Sequence, residues 1–116
     1  MKKFAIITTA LAFLVLSACG AFAHPPKDVS VSWNKSQEML SITSHHNVND
    51  PAKHYILSLT ILDGNRQVLT KQYTKQGSPE TFTDSISLKG MKSGTKLRVQ
   101  LVCNIMGSKE TEFIIP

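Results

Sequence analysis

Apolar and polar residues alternate with a period of two along almost the whole chain beyond residue 28. That is the repeat of a half-buried strand, and it is incompatible with the 3.6-residue repeat of an amphipathic helix. The alternation divides into Val29–Trp33, Met39–His46, His54–Leu62, Gln67–Thr74, Thr81–Leu88, Lys96–Cys103 and Thr111–Ile115. Asp63-Gly64-Asn65 is a hairpin turn signal, and Gly77-Ser78-Pro79 breaks the pattern again. Seven short strands separated by turns predict an all-β fold, an immunoglobulin-like antiparallel β-sandwich.

The chain opens differently. Lys2 and Lys3 precede an apolar run from Phe4 to Leu16, followed by small residues, the layout of an export signal. The run is shorter than the roughly 20 apolar residues a membrane-crossing helix requires. Two cleavages fit. Ala21-Phe22-Ala23 matches the small-x-small rule and leaves His24 at the new N-terminus, whereas Leu16-Ser17-Ala18-Cys19 resembles a lipobox, which would acylate Cys19 and anchor the protein to a membrane. The cut after Ala23 is the one expected. A lipid on Cys19 would tether the domain by at most about 18 Å of extended chain. The expected organisation is a signal peptide over 1–23 and one domain over 24–116, periplasmic or secreted, with a lipoprotein as the alternative.

Either processing route removes or consumes the Cys19 thiol, and the sequence holds only two cysteines. Cys103 is then left without a disulfide partner in an exported chain, where thiols usually pair. It is either an inert core residue or a metal-ligating thiolate. The formal charge is +5, and loss of Lys2 and Lys3 lowers it by two. A charge so small and scattered, without a basic run, excludes a nucleic-acid binder and suits a small anionic substrate.

All four histidines lie between positions 24 and 54. In Leu40-Ser41-Ile42-Thr43-Ser44-His45-His46 the apolar residues share parity with His46, so His46 faces inward and His45 outward. Leu97, Val99, Leu101 and Cys103 likewise share one parity, placing Cys103 at the end of a strand on its apolar face. Imidazole and thiolate at strand ends are rigidly held ligands for iron, copper or zinc. No CxxC pair or HExxH helix motif is present.

The segment "HHNVNDPAKHYILSLTI" resembles the "HPM...HYI" segment of the desulfoferrodoxin and neelaredoxin superoxide reductases, and "VCNIMG" resembles their "YCNLHG" segment. The resemblance spans the whole expected domain and implies an immunoglobulin-like sandwich. It also implies a mononuclear non-haem iron held by four equatorial histidines and one axial cysteine thiolate. Three of those histidines fall on His24, His46 and His54, and the thiolate on Cys103. The fourth histidine falls on Met106, whose thioether is a weaker donor for iron and a better one for copper. The family's Glu-Lys pair before its first histidine is replaced by Phe22 and Ala23. Tyr55 and Asn104, beside two of these ligands, are candidate hydrogen-bond partners of the site.

The resemblance implies reduction of superoxide to hydrogen peroxide, with an electron donor it does not identify. Two readings without enzymatic activity stand beside it. One is a copper-binding or electron-transfer protein, since His, Cys and Met are blue-copper ligand types. The other is a metal-free β-sandwich used as a binding module.

Overall fold

The computed structural model describes residues 25–116. The expected signal peptide over 1–23, with Cys19, and His24 lie outside the described residues. Seven strands follow in order: β1 Lys27–Asn34, β2 Met39–His45, β3 Ile56–Asp63, β4 Arg66–Gln72, β5 Thr81–Ser87, β6 Lys96–Cys103 and β7 Ser108–Ile114. They form two antiparallel sheets, one ordered β1-β2-β5 and the other β4-β3-β6-β7. The β1–β2, β3–β4 and β6–β7 connections stay within a sheet, and the other three cross between sheets. The result is an immunoglobulin-like antiparallel β-sandwich, and no helix occurs among the described residues.

The period-2 pattern becomes the core directly. Leu40 and Ile42 on β2 and Phe82 and Ile86 on β5 face Leu59 and Ile61 on β3 and Leu97, Val99 and Leu101 on β6, all buried. Each such Leu or Ile contributes about 1.5–3 kcal/mol by leaving water. The β3–β4 hairpin turns through Gly64-Asn65, with Gly64 at φ 61. A two-residue hairpin with positive φ at its first position calls for glycine there.

Two strand starts differ from the alternation. β3 begins at Ile56 rather than His54, because Asp50 nucleates a turn: its side chain accepts from Ala52 N, and its carbonyl accepts from both Lys53 N and His54 N. The backbone N–H of His54 is thereby taken out of the sheet. β7 begins at Ser108, ahead of Thr111, because the connection from β6 closes tightly, with Cys103 N donating to Gly107 O at 2.9 Å.

Polar side chains tie the two sheets together at one side. Asp84 on β5 accepts from Lys71 Nζ on β4 at 2.8 Å and from the Tyr73 hydroxyl just beyond β4. Tyr73 also packs edge-on against Phe82, with ring centroids 5.1 Å apart. Burial works to raise the Asp84 carboxyl, but hydrogen bonds from Lys71, Tyr73 and the Ser85 N–H, with the Lys71 charge, hold it below the ordinary carboxylate range. Burial and the Asp84 carboxylate push the Tyr73 phenol up, so it remains the donor. A carboxyl held low in the folded state stabilises fully above its unfolded pKa of about 3.9, and that stabilisation is lost as pH falls through the folded value. Asp84→Asn is therefore expected to cost about 1–2 kcal/mol near neutral pH. Urea unfolding of both proteins across acidic pH is expected to show the difference shrinking as wild type loses the same interaction.

Candidate metal centre

Three chemistry-bearing side chains distant in sequence meet at one end of the sandwich. Cys103 is the last residue of β6, and its Cα pairs with that of Ile56 at the start of β3. This pairing carries His54, two residues earlier, to the cysteine: His54 Nε2 lies 3.1 Å from Cys103 Sγ. A register shift between Ile56 and Ser58 leaves Ile56 and Cys103 both buried, with Leu57 turned outward. Bulges commonly re-aim side chains beside sites in this way. From the other sheet, inward alternation continues past the end of β2, burying His46 to 1 % exposure while His45 is exposed. The His46 and His54 rings meet edge to face, with centroids 4.8 Å apart.

One ligand atom from each of His46, His54 and Cys103 lies within 4.8 Å of the others. Donors sharing one ion at about 2.0–2.3 Å sit no more than about 4.5 Å apart, so a shift of a few tenths of an ångström brings all three into range. His46 Nε2 is the buried side-chain N or O atom, among the described residues, that has no hydrogen-bond partner. An unsatisfied buried polar atom costs about 1–3 kcal/mol, and an imidazole nitrogen beside a second imidazole and a thiol is satisfied by a metal ion. The donor set and this unpartnered nitrogen make the cluster able to bind a metal.

The surrounding hydrogen bonds hold the donors in place. His46 N donates to Glu80 O at 3.0 Å, and its carbonyl accepts from Gln76 Nε2 at 2.9 Å. The ring Nδ1 lies 2.7 Å from Gln76 Oε1. Gln76 is itself buried, at 4 % exposure, on the β4–β5 connection. On the other side, Asn104 clasps the segment carrying His54: its backbone N donates to Tyr55 O, its Oδ1 accepts from Tyr55 N, and its Nδ2 donates to Lys53 O. Asn104 thus supports the site through these backbone bridges and also accepts at its Oδ1, 4.0 Å away, from the Cys103 thiol, while Tyr55 contributes its main chain. Gln76 was not legible in the sequence, because a polar residue in a loop 30 positions from His46 carries no periodic signal.

Met106 stands 66 % exposed on the turn after β6, beside an exposed Ile105. His24 lies outside the described residues, but Pro25, its neighbour, packs against that same turn. A Cβ placed on Gly107 would lie 2.7 Å from Pro25 Cβ, and Gly107 has φ 89. Gly107→Ala is expected to destabilise the fold by about 1–2 kcal/mol from the left-handed backbone alone, with a further loss from the clash. Differential scanning calorimetry measures the total, and a cost no greater than that of Gly90→Ala, where the added Cβ meets open space, would contradict the close approach.

No protein-family model matches the chain, and no curated protein matches it in sequence. Solved structures do match in shape. The chain superposes on a superoxide reductase (1Fe-SOR) from Giardia intestinalis with a TM-score of 0.57 and 17 % identity, over 79 % of this chain and 100 % of the other. A superoxide reductase in the oxidised state gives a TM-score of 0.45 and 17 % identity, over 84 % of this chain and 94 % of the other. A hypothetical protein from Pyrococcus horikoshii gives 0.48 and 14 %, over 84 % and 93 %. Only the first of these three is near enough in shape to carry an assignment. The β-sandwich described here therefore has the fold of a superoxide reductase.

Proposed function

We propose that the protein is an exported non-haem iron protein that reduces superoxide to hydrogen peroxide at its His/Cys centre. The observation that carries this reading is the convergence of His46, His54 and Cys103 around a buried, unpartnered His46 Nε2, on a fold shared with a superoxide reductase. Iron is the ion proposed, with His46, His54 and Cys103 as ligands and His24 as a fourth.

Ferrous iron, when bound, supplies the single electron that superoxide takes up with two protons to become hydrogen peroxide. The chain's own residues set the conditions. His46 and Cys103 are buried and hold their donor atoms out of bulk water, while the half-buried His54 marks the more open side. A thiolate is the most electron-donating ligand of the set and favours transfer of charge outward from the centre. Lys53, exposed and next to His54, places a positive charge in the neighbourhood of an arriving anion. The physiological electron donor is a one-electron reductant outside this chain. The proposed location is the periplasm or the extracellular space, or a membrane surface if Cys19 is lipidated.

Copper is the alternative ion, since two histidines and a cysteine are the blue-copper donor set; the exposed Met106 does not supply the axial thioether in this conformation. Metal analysis and an absorption spectrum of protein purified from the exported fraction test the proposal. About one iron per chain with a thiolate-to-metal band is expected; stoichiometric copper establishes the alternative, and a metal-free protein with a labelled Cys103 thiol establishes a plain binding module.

A further inference from the structure

We propose that Gln76 is a tautomer lock for His46, a positioning residue that keeps the ring proton on Nδ1 and leaves Nε2 bare as the ligand atom. The orientation of the Gln76 amide is set by its donors. Nε2 lies 2.9 Å from His46 O and 2.8 Å from Ser78 O, so both amide protons go to carbonyl oxygens. The reversed amide would press Oε1 against those two oxygens and lose both bonds. Oε1 must therefore face His46 Nδ1, at 2.7 Å. A carbonyl oxygen can only accept, so Nδ1 carries the proton, and in a neutral imidazole the other nitrogen then holds a lone pair. That other nitrogen is the buried, unpartnered Nε2, whose ring stands edge to face with His54.

The lock is itself fixed from outside the site. Gln76 N donates to Pro51 O at 2.9 Å, and Val48 N donates to Pro79 O at 2.7 Å. The β4–β5 connection is thus bound to the 46–54 segment by main chain as well as by the amide. Ligand geometry at His46 consequently depends on a connection that supplies none of the metal donors. A metal ligand whose second ring nitrogen donates to an acceptor is held in one orientation and made more basic. The assignment of the tautomer stands on these hydrogen bonds, and its use in metal binding rests on the proposed metal centre.

The decisive measurement is a long-range proton–nitrogen correlation spectrum of ¹⁵N-labelled, metal-free protein at mildly alkaline pH. His46 is expected as the Nδ1–H tautomer. Gln76→Leu is expected to lose that preference and to bind Zn²⁺, a redox-silent probe, about 10–100-fold more weakly. Gln76→Glu keeps an acceptor oxygen toward His46 Nδ1 but sets its second oxygen against the His46 and Ser78 carbonyls, so it is expected to retain the Nδ1–H tautomer, with zinc affinity above that of Gln76→Leu and below wild type. Should Gln76→Leu fail to fold, the wild-type and Gln76→Glu spectra still decide. An Nε2–H tautomer in the wild type overturns the lock even if zinc binds tightly, and so does a Gln76→Leu protein that keeps both tautomer and affinity. An Nδ1–H tautomer in a protein that binds no metal upholds the lock and removes the metal centre instead.

Discussion

Replacing His46 with alanine is expected to lower metal affinity by more than about 100-fold, beyond the roughly 10–100-fold that loss of an outer hydrogen-bond partner costs. His45→Ala is expected to leave affinity within about twofold, the range of an ordinary surface change. The two residues are adjacent and chemically identical, and they differ only in the sheet face they occupy. His46 is buried with an unpartnered Nε2, whereas His45 sits on the outer face opposite Lys27 and Thr81. Cys103→Ser belongs to the same experiment. Serine retains the shape but is not deprotonated as a coordinated thiol is, so the thiolate-to-metal band is expected to vanish and affinity to fall. Competition with a chromophoric chelator measures all three variants, with unfolding curves as a control for the core position of His46. Equal losses for His45→Ala and His46→Ala would refute the assignment of the site.

Superoxide reduction is expected to run about 100-fold or more below the diffusional ceiling of roughly 10⁸–10⁹ M⁻¹ s⁻¹, even with iron bound. Two features of the chain lead there. The lysine ahead of the first histidine in the superoxide reductases that this sequence resembles has no counterpart at Phe22-Ala23, so on the proposed reading a charge that would gather the anion, and a group that would help move its protons, are missing. The position matching the fourth histidine holds Met106, which projects from the turn into solvent. Met106→His puts an imidazole on a turn already closed by Cys103 N to Gly107 O, three residues from the thiolate. Because the turn directs position 106 into solvent, that imidazole reaches the metal only when the turn swings inward; a gain in iron affinity of about tenfold or more is the expected sign of that movement, with the rate changing less than the affinity. Pulse radiolysis of wild type and Met106→His, with iron content determined on each sample, checks both statements. A wild-type rate at the diffusional ceiling would show that Lys53 or other nearby groups already do the work of the missing lysine.

Much of the fold was legible because strand alternation is a local property. The side-chain period of two assigns each residue to a face before any partner is known, which is how Leu40 and Ile42 predict an inward His46, and Leu97 to Leu101 predict a buried Cys103. The same rule failed where a local side chain overrode it. Asp50 draws Lys53 and His54 into a turn, so His54 reaches the site from a loop rather than from a strand face. Met106 shows a further limit. Its place in the Cys-x-x segment marks it as a ligand position by resemblance, yet the turn that Gly107 and Pro25 shape directs it outward.

By itself the sequence determined most of each strand and the inward faces that carry His46 and Cys103, because these follow from residue type and period; His54 entered only through the family resemblance. Only the tertiary structure decided which donors meet. The Ile56–Cys103 pairing brings together residues 49 apart, His54 and Cys103, and packing the second sheet against the first brings His46 to them. Gln76 belongs wholly to that second kind of information. Its two donor bonds, its acceptor bond to His46 Nδ1 and its burial exist only once the β4–β5 connection lies over the 46–54 segment. Loop conformation is set by long-range hydrogen bonds that leave no periodic trace in the chain.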